Sequence, residues 1–298
     1  MTSNQNERSL TIEQVRRICV VGSGTMGSQI AQQCALNGYD VTLTDAIAPA
    51  LDKALAGNRA LLQSRVNKGK LTQEQCDEAL SRVKAVTSLE EAAGDADFVI
   101  EAIFEDLEAK HELYKNLDRI CPPHTILASN SSTIVISKIA DVIQRKDKAC
   151  NMHFFHPVLV MQLVEVVKGP DTSDETIAVT MELTRRIGRE PVLMQKEVFG
   201  FIVNYILSHM MEAAMSLYGG GYASFEDIDK AVKLGLNHPM GPFELADFSG
   251  LDIWNFVMLQ RYKETGDERF KPPAFLEEMV KEGRVGRKAG RGFYDYNK

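Results

Sequence analysis

The sequence predicts an α/β protein in two parts: a doubly wound, largely parallel sheet with a helical-hairpin insertion, followed by an all-helical domain. Three observations carry that prediction. The apolar run Ile18-Cys19-Val20-Val21 opens straight into Gly22, Gly24 and Gly27, spaced G-x-G-x-x-G. Further short apolar runs then alternate with helical stretches, the pattern of a parallel sheet covered by helices. From Phe199 onward the alternation stops, and apolar residues recur at helical intervals instead.

Taken in order, residues 1–15 are polar, have no apolar signal-peptide core, and are expected to be a disordered tail. Residues 16–198 are expected to form the sheet domain. After the first strand a helix is predicted over 25–37, then a strand over 40–44 that closes on Asp45. The insertion comprises helices over 49–66 and 72–83, joined by the turn Asn67-Lys68-Gly69-Lys70; Thr72 with Gln75 three residues on reads as a capping box. Strands are predicted over 98–102, 125–129, 149–155 and 163–167. Residues 199–298 are expected to be helical. Phe199, Ile202, Val203, Ile206, Leu207, Met210, Ala214 and Leu217 share one face of the first helix, and further helices cover 226–234 and 242–261. That apolar face is longer than a small domain needs, so a homodimer seam is expected.

Strand, glycine loop, helix, second strand and acid together read as a Rossmann-type dinucleotide site. Gly22 permits the turn off the strand, Gly24 lets backbone approach a pyrophosphate, and Gly27 allows helix and strand to pack closely. Ser23, Thr25 and Met26 fill the same loop and the first turn of the helix, whose N–H groups and positive dipole end face the phosphates. A carboxylate at Asp45 accepts hydrogen bonds from a ribose 2′-OH and repels a 2′-phosphate. No arginine lies in residues 46–51 to receive one, so the expected cofactor is NAD, not NADP.

The net charge is −7 with dispersed basic residues, which argues against a nucleic-acid partner. Five cysteines, Cys19, Cys34, Cys76, Cys121 and Cys150, are odd in number and widely spaced, so they read as reduced core thiols, with no disulfide framework and no metal site. No apolar run approaches the ~18 residues of a membrane span, and a cytoplasmic enzyme is expected.

Three segments are expected to meet at the carboxyl ends of the strands, where a dinucleotide fold holds its substrate: Ser129-Asn130-Ser131-Ser132-Thr133, Asn151-Met152-His153-Phe154-Phe155-His156-Pro157, and Gln162-Leu163-Val164-Glu165-Val166-Val167. Oxidising a secondary alcohol with NAD requires a base near neutral pKa, which histidine supplies. A carboxylate on its other nitrogen would fix the tautomer and stabilise the imidazolium. Glu165, in an apolar strand, is the candidate partner of His153. Spacing equally allows a core histidine and a glutamate facing solvent.

With these motifs in order, together with Gly200-Phe201-Ile202-Val203-Asn204, Pro239-Met240-Gly241-Pro242-Phe243-Glu244-Leu245 and Gly292-Phe293-Tyr294, the chain resembles the L-3-hydroxyacyl-CoA dehydrogenases, including the bacterial 3-hydroxybutyryl-CoA dehydrogenases. The resemblance implies a Rossmann domain followed by a helical dimerisation domain, and an acyl-CoA substrate. It implies His153 as base, Glu165 as its partner, and Ser132 and Asn204 around the reacting oxygen. It further implies that Glu105, Lys110, Ser132, His156 and Lys288 border the cofactor and that Lys68 meets CoA, with Arg65 and Lys70 adding positive charge. Read without it, Lys110 and Lys288 are surface lysines and the 67–70 turn a solvated loop. The chain departs from the family pattern at His156, where asparagine is common, and at Leu61, where some relatives carry serine. A dehydrogenase of a free hydroxy acid and a non-catalytic NAD-binding protein are the competing readings.

Overall fold

The computed structural model describes residues 10–297. Contacts divide the chain into two compact units, one ending at Phe201 and the other beginning at Ile202.

In the first unit the chain runs β1 (Arg17–Val21), α1 (Thr25–Leu36), β2 (Asp40–Thr44), α2 (Ala48–Asn67), α3 (Gln73–Ser81), β3 (Val83–Val86), α4 (Leu89–Ala93) and β4 (Phe98–Glu101). It continues through α5 (Leu107–Ile120), β5 (Ile126–Ser129), α6 (Ile136–Ile139), β6 (Ala149–Phe154), β7 (Leu163–Val167), α7 (Asp174–Arg186) and β8 (Glu190–Met194). The eight strands form one sheet in the order β3-β2-β1-β4-β5-β6-β7-β8. Every neighbouring pair is parallel except β6 with β7. The chain winds outward from β1 in one direction, then returns to lay β4 on its other side, so the switch point lies between β1 and β4.

Both faces of the sheet are buried, as a parallel sheet requires. Ile18, Val20, Val41, Leu43, Phe98 and Ile100 pack with α1 and α7 on one face. Cys19, Val21, Val99 and Leu127 alternate with them and pack under α4, α5 and α6 on the other. The capping box at Thr72 forms, with the Thr72 hydroxyl accepting from Gln75 N–H at 3.1 Å and the Gln75 side chain accepting from Thr72 N–H at 3.0 Å. All five cysteines are free and buried; burial raises the Cys121 thiol to about 11 and the Cys34 and Cys150 thiols to about 12.

Several expectations are corrected. Most of the expected tail, residues 1–9, lies outside the described residues, but residues 12–14 form a capped turn and Val15 is buried in the core. The helix expected over 72–83 ends at Ser81, because Val83 begins β3 beside β2. β8 was not expected: Pro191 disguises it, and proline is tolerated because β8 is an edge strand.

The second unit holds α8 (Val203–Gly219), α9 (Phe225–Leu236), α10 (Pro242–Ser249), α11 (Leu251–Thr265) and α12 (Ala274–Lys281) around Met211, Phe243, Leu251, Trp254 and Phe293. Its first helix starts at Val203 instead of Phe199, since Gly200 and Phe201 take left-handed backbone, at φ 77° and 52°. The helix expected over 242–261 is two, broken at Gly250, where φ is 107°. Among the described residues no helix is long and apolar enough to cross a membrane.

Candidate active site

The glycine loop sits at the switch point. Gly22 follows β1, and a Cβ there would lie 2.5 Å from the Ala102 carbonyl oxygen at the end of β4. At Gly27 a Cβ would lie 1.9 Å from the Gly22 oxygen, so only glycine lets α1 start this close to the strand. Gly24 caps α1 and has nothing within 4 Å of the place its Cβ would occupy. That open space leads into two adjoining hollows of about 470 and 570 Å³, both lined by Gly24, Asp45 and Ile47. Thr25 opens α1, and Met26 packs its side chain against the core.

Asp45 is held ready. Its Oδ2 accepts from the Ser23 N–H and hydroxyl, each at 2.8 Å, and its Oδ1 from Ile47 N–H at 3.0 Å. Partial burial pushes its pKa up, but the Ser23 and Ile47 hydrogen bonds outweigh burial and hold the carboxyl below the ordinary aspartate value. The part Ser23 plays in the loop is therefore to fix this carboxylate.

The expected His153–Glu165 pair lies further along the carboxyl ends of the strands. His153 and Glu165 face each other directly across the antiparallel β6–β7 pair. His153 Nδ1 lies 2.8 Å from Glu165 Oε2, with the histidine 5% exposed and the glutamate fully buried. A carboxylate accepts only, so Nδ1 is the donor in this contact and Nε2 is the ring nitrogen left for another partner. The rings of Phe155 and Phe201 flank the imidazole, at centroid distances of 4.6 and 5.5 Å. Phe201 was not expected here; its left-handed backbone turns a helix-like residue back onto the first unit.

Beside this pair, the 130–134 loop is held by carboxylates and amides. Glu105 Oε1 accepts from the Ser131 hydroxyl at 2.6 Å, from the N–H groups of Ser132 and Thr133 at 3.0 Å, and from the Thr133 hydroxyl at 2.8 Å. Asn130 Oδ1 accepts from Phe154 N–H at 2.9 Å, tying the loop to the strand that carries His153. The Ser132 side chain is half-buried and its hydroxyl has no partner among the described residues. Lys110 is no surface lysine: it is fully buried, with Nζ 2.6 Å from Glu101 and 3.4 Å from Glu105. Burial raises the pKa of Glu105, but the Lys110 ammonium and the Ser131 and Thr133 donors more than offset it and leave the group below its ordinary value.

His156 is exposed at the end of β6. Lys68 is exposed at the C-cap of α2, whereas the nearby Arg65 guanidinium donates to the Leu159 carbonyl at 2.9 Å. Asn204 and Lys288 belong to the second unit. Asn204 lies in the first turn of α8, and Lys288 Nζ is 2.7 Å from Asp252.

Residues 17–198 match the family model described as 3-hydroxyacyl-CoA dehydrogenase, NAD binding domain, and residues 200–296 match the C-terminal domain of the same family. The chain belongs to the 3-hydroxyacyl-CoA dehydrogenase family. Its relatives include the probable 3-hydroxybutyryl-CoA dehydrogenase of Bacillus subtilis, 43% identical over 95% of this chain and 98% of that protein. The 3-hydroxybutyryl-CoA dehydrogenase of Clostridioides difficile is 44% identical over 95% of this chain and all of its own length. Among solved structures, the (S)-3-hydroxybutyryl-CoA dehydrogenase of Ralstonia eutropha superposes with a TM-score of 0.89 at 42% identity, over 95% of this chain and 100% of that one.

The protein is thus an NAD-dependent 3-hydroxyacyl-CoA dehydrogenase, and its first unit is the NAD-binding domain. The residues present fit that cofactor. Gly22 and Gly27 have no room for a side chain, Gly24 faces open space at the start of α1, and Asp45 is fixed beside the hollow with its charge favoured. Glu101, Asn130 and Phe201 were not singled out from sequence. For Glu101 the signal was there, in a charged residue closing the apolar run Phe98-Val99-Ile100.

Proposed function

We propose that this dehydrogenase interconverts a short-chain L-3-hydroxyacyl-CoA, such as 3-hydroxybutyryl-CoA, and the corresponding 3-ketoacyl-CoA, with His153 as the general base and acid and Glu165 as its partner. The observation that carries this reading is the buried 2.8 Å contact between His153 Nδ1 and Glu165 Oε2. It leaves Nε2 free to take the hydroxyl proton as the C3–H bond breaks. NAD, when bound, supplies the acceptor for the hydride released from the same carbon. As the proton arrives, the imidazolium gains an adjacent negative charge at no cost of reorganisation, because strand pairing already holds Glu165 in place. In the reverse direction the same Nε2–H returns the proton to the developing alkoxide.

Ser132 is proposed to donate its hydroxyl to the reacting oxygen, from a loop that Glu105 and Asn130 keep rigid. Asn204 is assigned to the substrate carbonyl, Lys68 to the phosphates of CoA, and Glu105, Lys110, His156 and Lys288 to the cofactor's surroundings. Exposed Ile206, Leu217, Leu234, Ile253 and Phe256 on the second unit support a homodimer. Sedimentation showing only a 33.2 kDa species would remove that assignment.

The deciding assay is NADH oxidation with acetoacetyl-CoA and longer 3-ketoacyl-CoA substrates, run beside free 3-hydroxy acids with NAD. Turnover highest with the four-carbon thioester is expected. Equal turnover of the free acids, or His153→Ala retaining full activity, would overturn the reading.

A further inference from the structure

We propose that Glu101 is a positioning residue that leaves the nicotinamide end of the site with one surplus negative charge, biasing it toward the oxidised, cationic dinucleotide. The inference rests on the catalytic reading above and adds to it a preference between the two redox forms of NAD.

Alternation along the strands places Glu101, Ser129, Asn151, His153 and Glu165 on one face of the sheet. Their neighbours Ile100, Ala128, Met152 and Val164 all pack on the opposite face. Glu101 pairs in register with Ser129, and Ser129 with Asn151. The catalytic strand therefore ends a polar row that begins at Glu101.

Every contact Glu101 makes is from a donor. Its Oε1 accepts from Lys110 Nζ at 2.6 Å and from Ile103 N–H at 2.8 Å, and its Oε2 accepts from the Ser129 hydroxyl at 2.6 Å. The Ser129 oxygen accepts from Ser131 N–H at 3.1 Å, so its own proton points to Glu101. In the same way the Ser131 oxygen accepts from Ile134 N–H at 2.8 Å and sends its proton to Glu105. Both carboxylates are thus met by donors only.

Lys110 is the only cation paired with either carboxylate among the described residues. Two negative charges and one positive leave a net −1. Glu101 is fully buried, so water does not screen that charge from its side of the cluster. Glu101 also grips both flanks of the loop that carries Ser132: Ser129 directly, and residues 131–133 through Lys110 and Glu105. The nicotinamide ring carries a positive charge in NAD and none in NADH, so a surplus negative charge favours the oxidised form.

The test is Glu101→Gln, which keeps shape and removes the charge, with dissociation constants for NAD and NADH measured separately by calorimetry on the full chain. The expected result is that the ratio Kd(NAD)/Kd(NADH) rises about fivefold, the order a single charge exerts across roughly 10 Å of partly screened protein. Ser129→Ala removes a loop tie without a charge and is expected to move both constants together. Should Glu101→Gln not fold, Glu105→Gln removes the same charge from the more exposed member and must shift the ratio the same way. An unchanged ratio in whichever variant folds overturns the proposal while leaving the His153–Glu165 reading intact. A wild-type chain that binds neither form overturns both.

Discussion

Replacing Glu165 by glutamine isolates what the buried carboxylate contributes. The amide has nearly the same shape, and its oxygen can still accept the Nδ1–H of His153, so orientation and tautomer survive while the charge is lost. At the 2.8 Å separation found here, a full charge pair at an effective dielectric of 20 is worth about 6 kcal/mol. The glutamine dipole recovers a share of that, and the carboxylate has already lost its hydration in the wild type, so the net loss is about 3–4 kcal/mol. That corresponds to a fall in kcat of roughly 10²- to 10³-fold. The pair gains its charge complementarity only as the imidazole takes the proton, so the loss should appear in kcat and leave KM nearly unchanged. The assay is steady-state oxidation of L-3-hydroxybutyryl-CoA with saturating NAD, beside a melting curve to show that the fold is kept. A drop of less than about tenfold in a folded variant, or an effect confined to KM, would refute the reasoning, since either would mean that no imidazolium forms beside this carboxylate.

Other perturbations follow from the same structure. Gly27→Ala and Gly24→Ala should separate cleanly. The first forces a methyl to 1.9 Å from a backbone oxygen and should destabilise the protein by about 3 kcal/mol or more. The second points its methyl into open space and should melt normally while losing dinucleotide affinity; melting curves and NAD titrations distinguish them. Asp45→Ala should reduce the preference for NAD over NADP by about tenfold or more, the worth of a charge-assisted hydrogen bond, as read from parallel titrations with both cofactors. Glu105 has a folded-state pKa below its ordinary 4.5, so its contribution to stability is present above that value and lost as pH falls through the folded value. The difference in melting temperature between wild type and Glu105→Gln, clear at neutral pH, should therefore shrink below about pH 4.5. A difference that stays constant down to pH 3 would contradict the ion pair with Lys110.

The order of elements, the glycine loop, Asp45 and the helical character of the second unit were legible in the chain because each rests on local rules. Alternation at period two marks strands, repeats of three and four mark helices, and a phosphate loop needs glycine wherever backbone comes close. Local rules also explain the misses. Val83 begins an edge-side strand only because β2 lies beside it, and Gly200 with Phe201 breaks a helix whose apolar spacing runs on unbroken.

What sequence could not supply is which side chains meet. His153 and Glu165 are twelve residues apart, and their spacing allowed a satisfied core histidine as readily as a dyad. The antiparallel register of β6 and β7 puts them 2.8 Å apart. Lys110 reads as a solvated surface lysine until packing buries it beside Glu101 and Glu105. Charge in a folded chain is governed by what surrounds it after residues distant in sequence have come together. For that reason the cofactor loop was readable from the chain, and the electrostatics around His153, Glu101 and Glu105 were decided by tertiary structure alone.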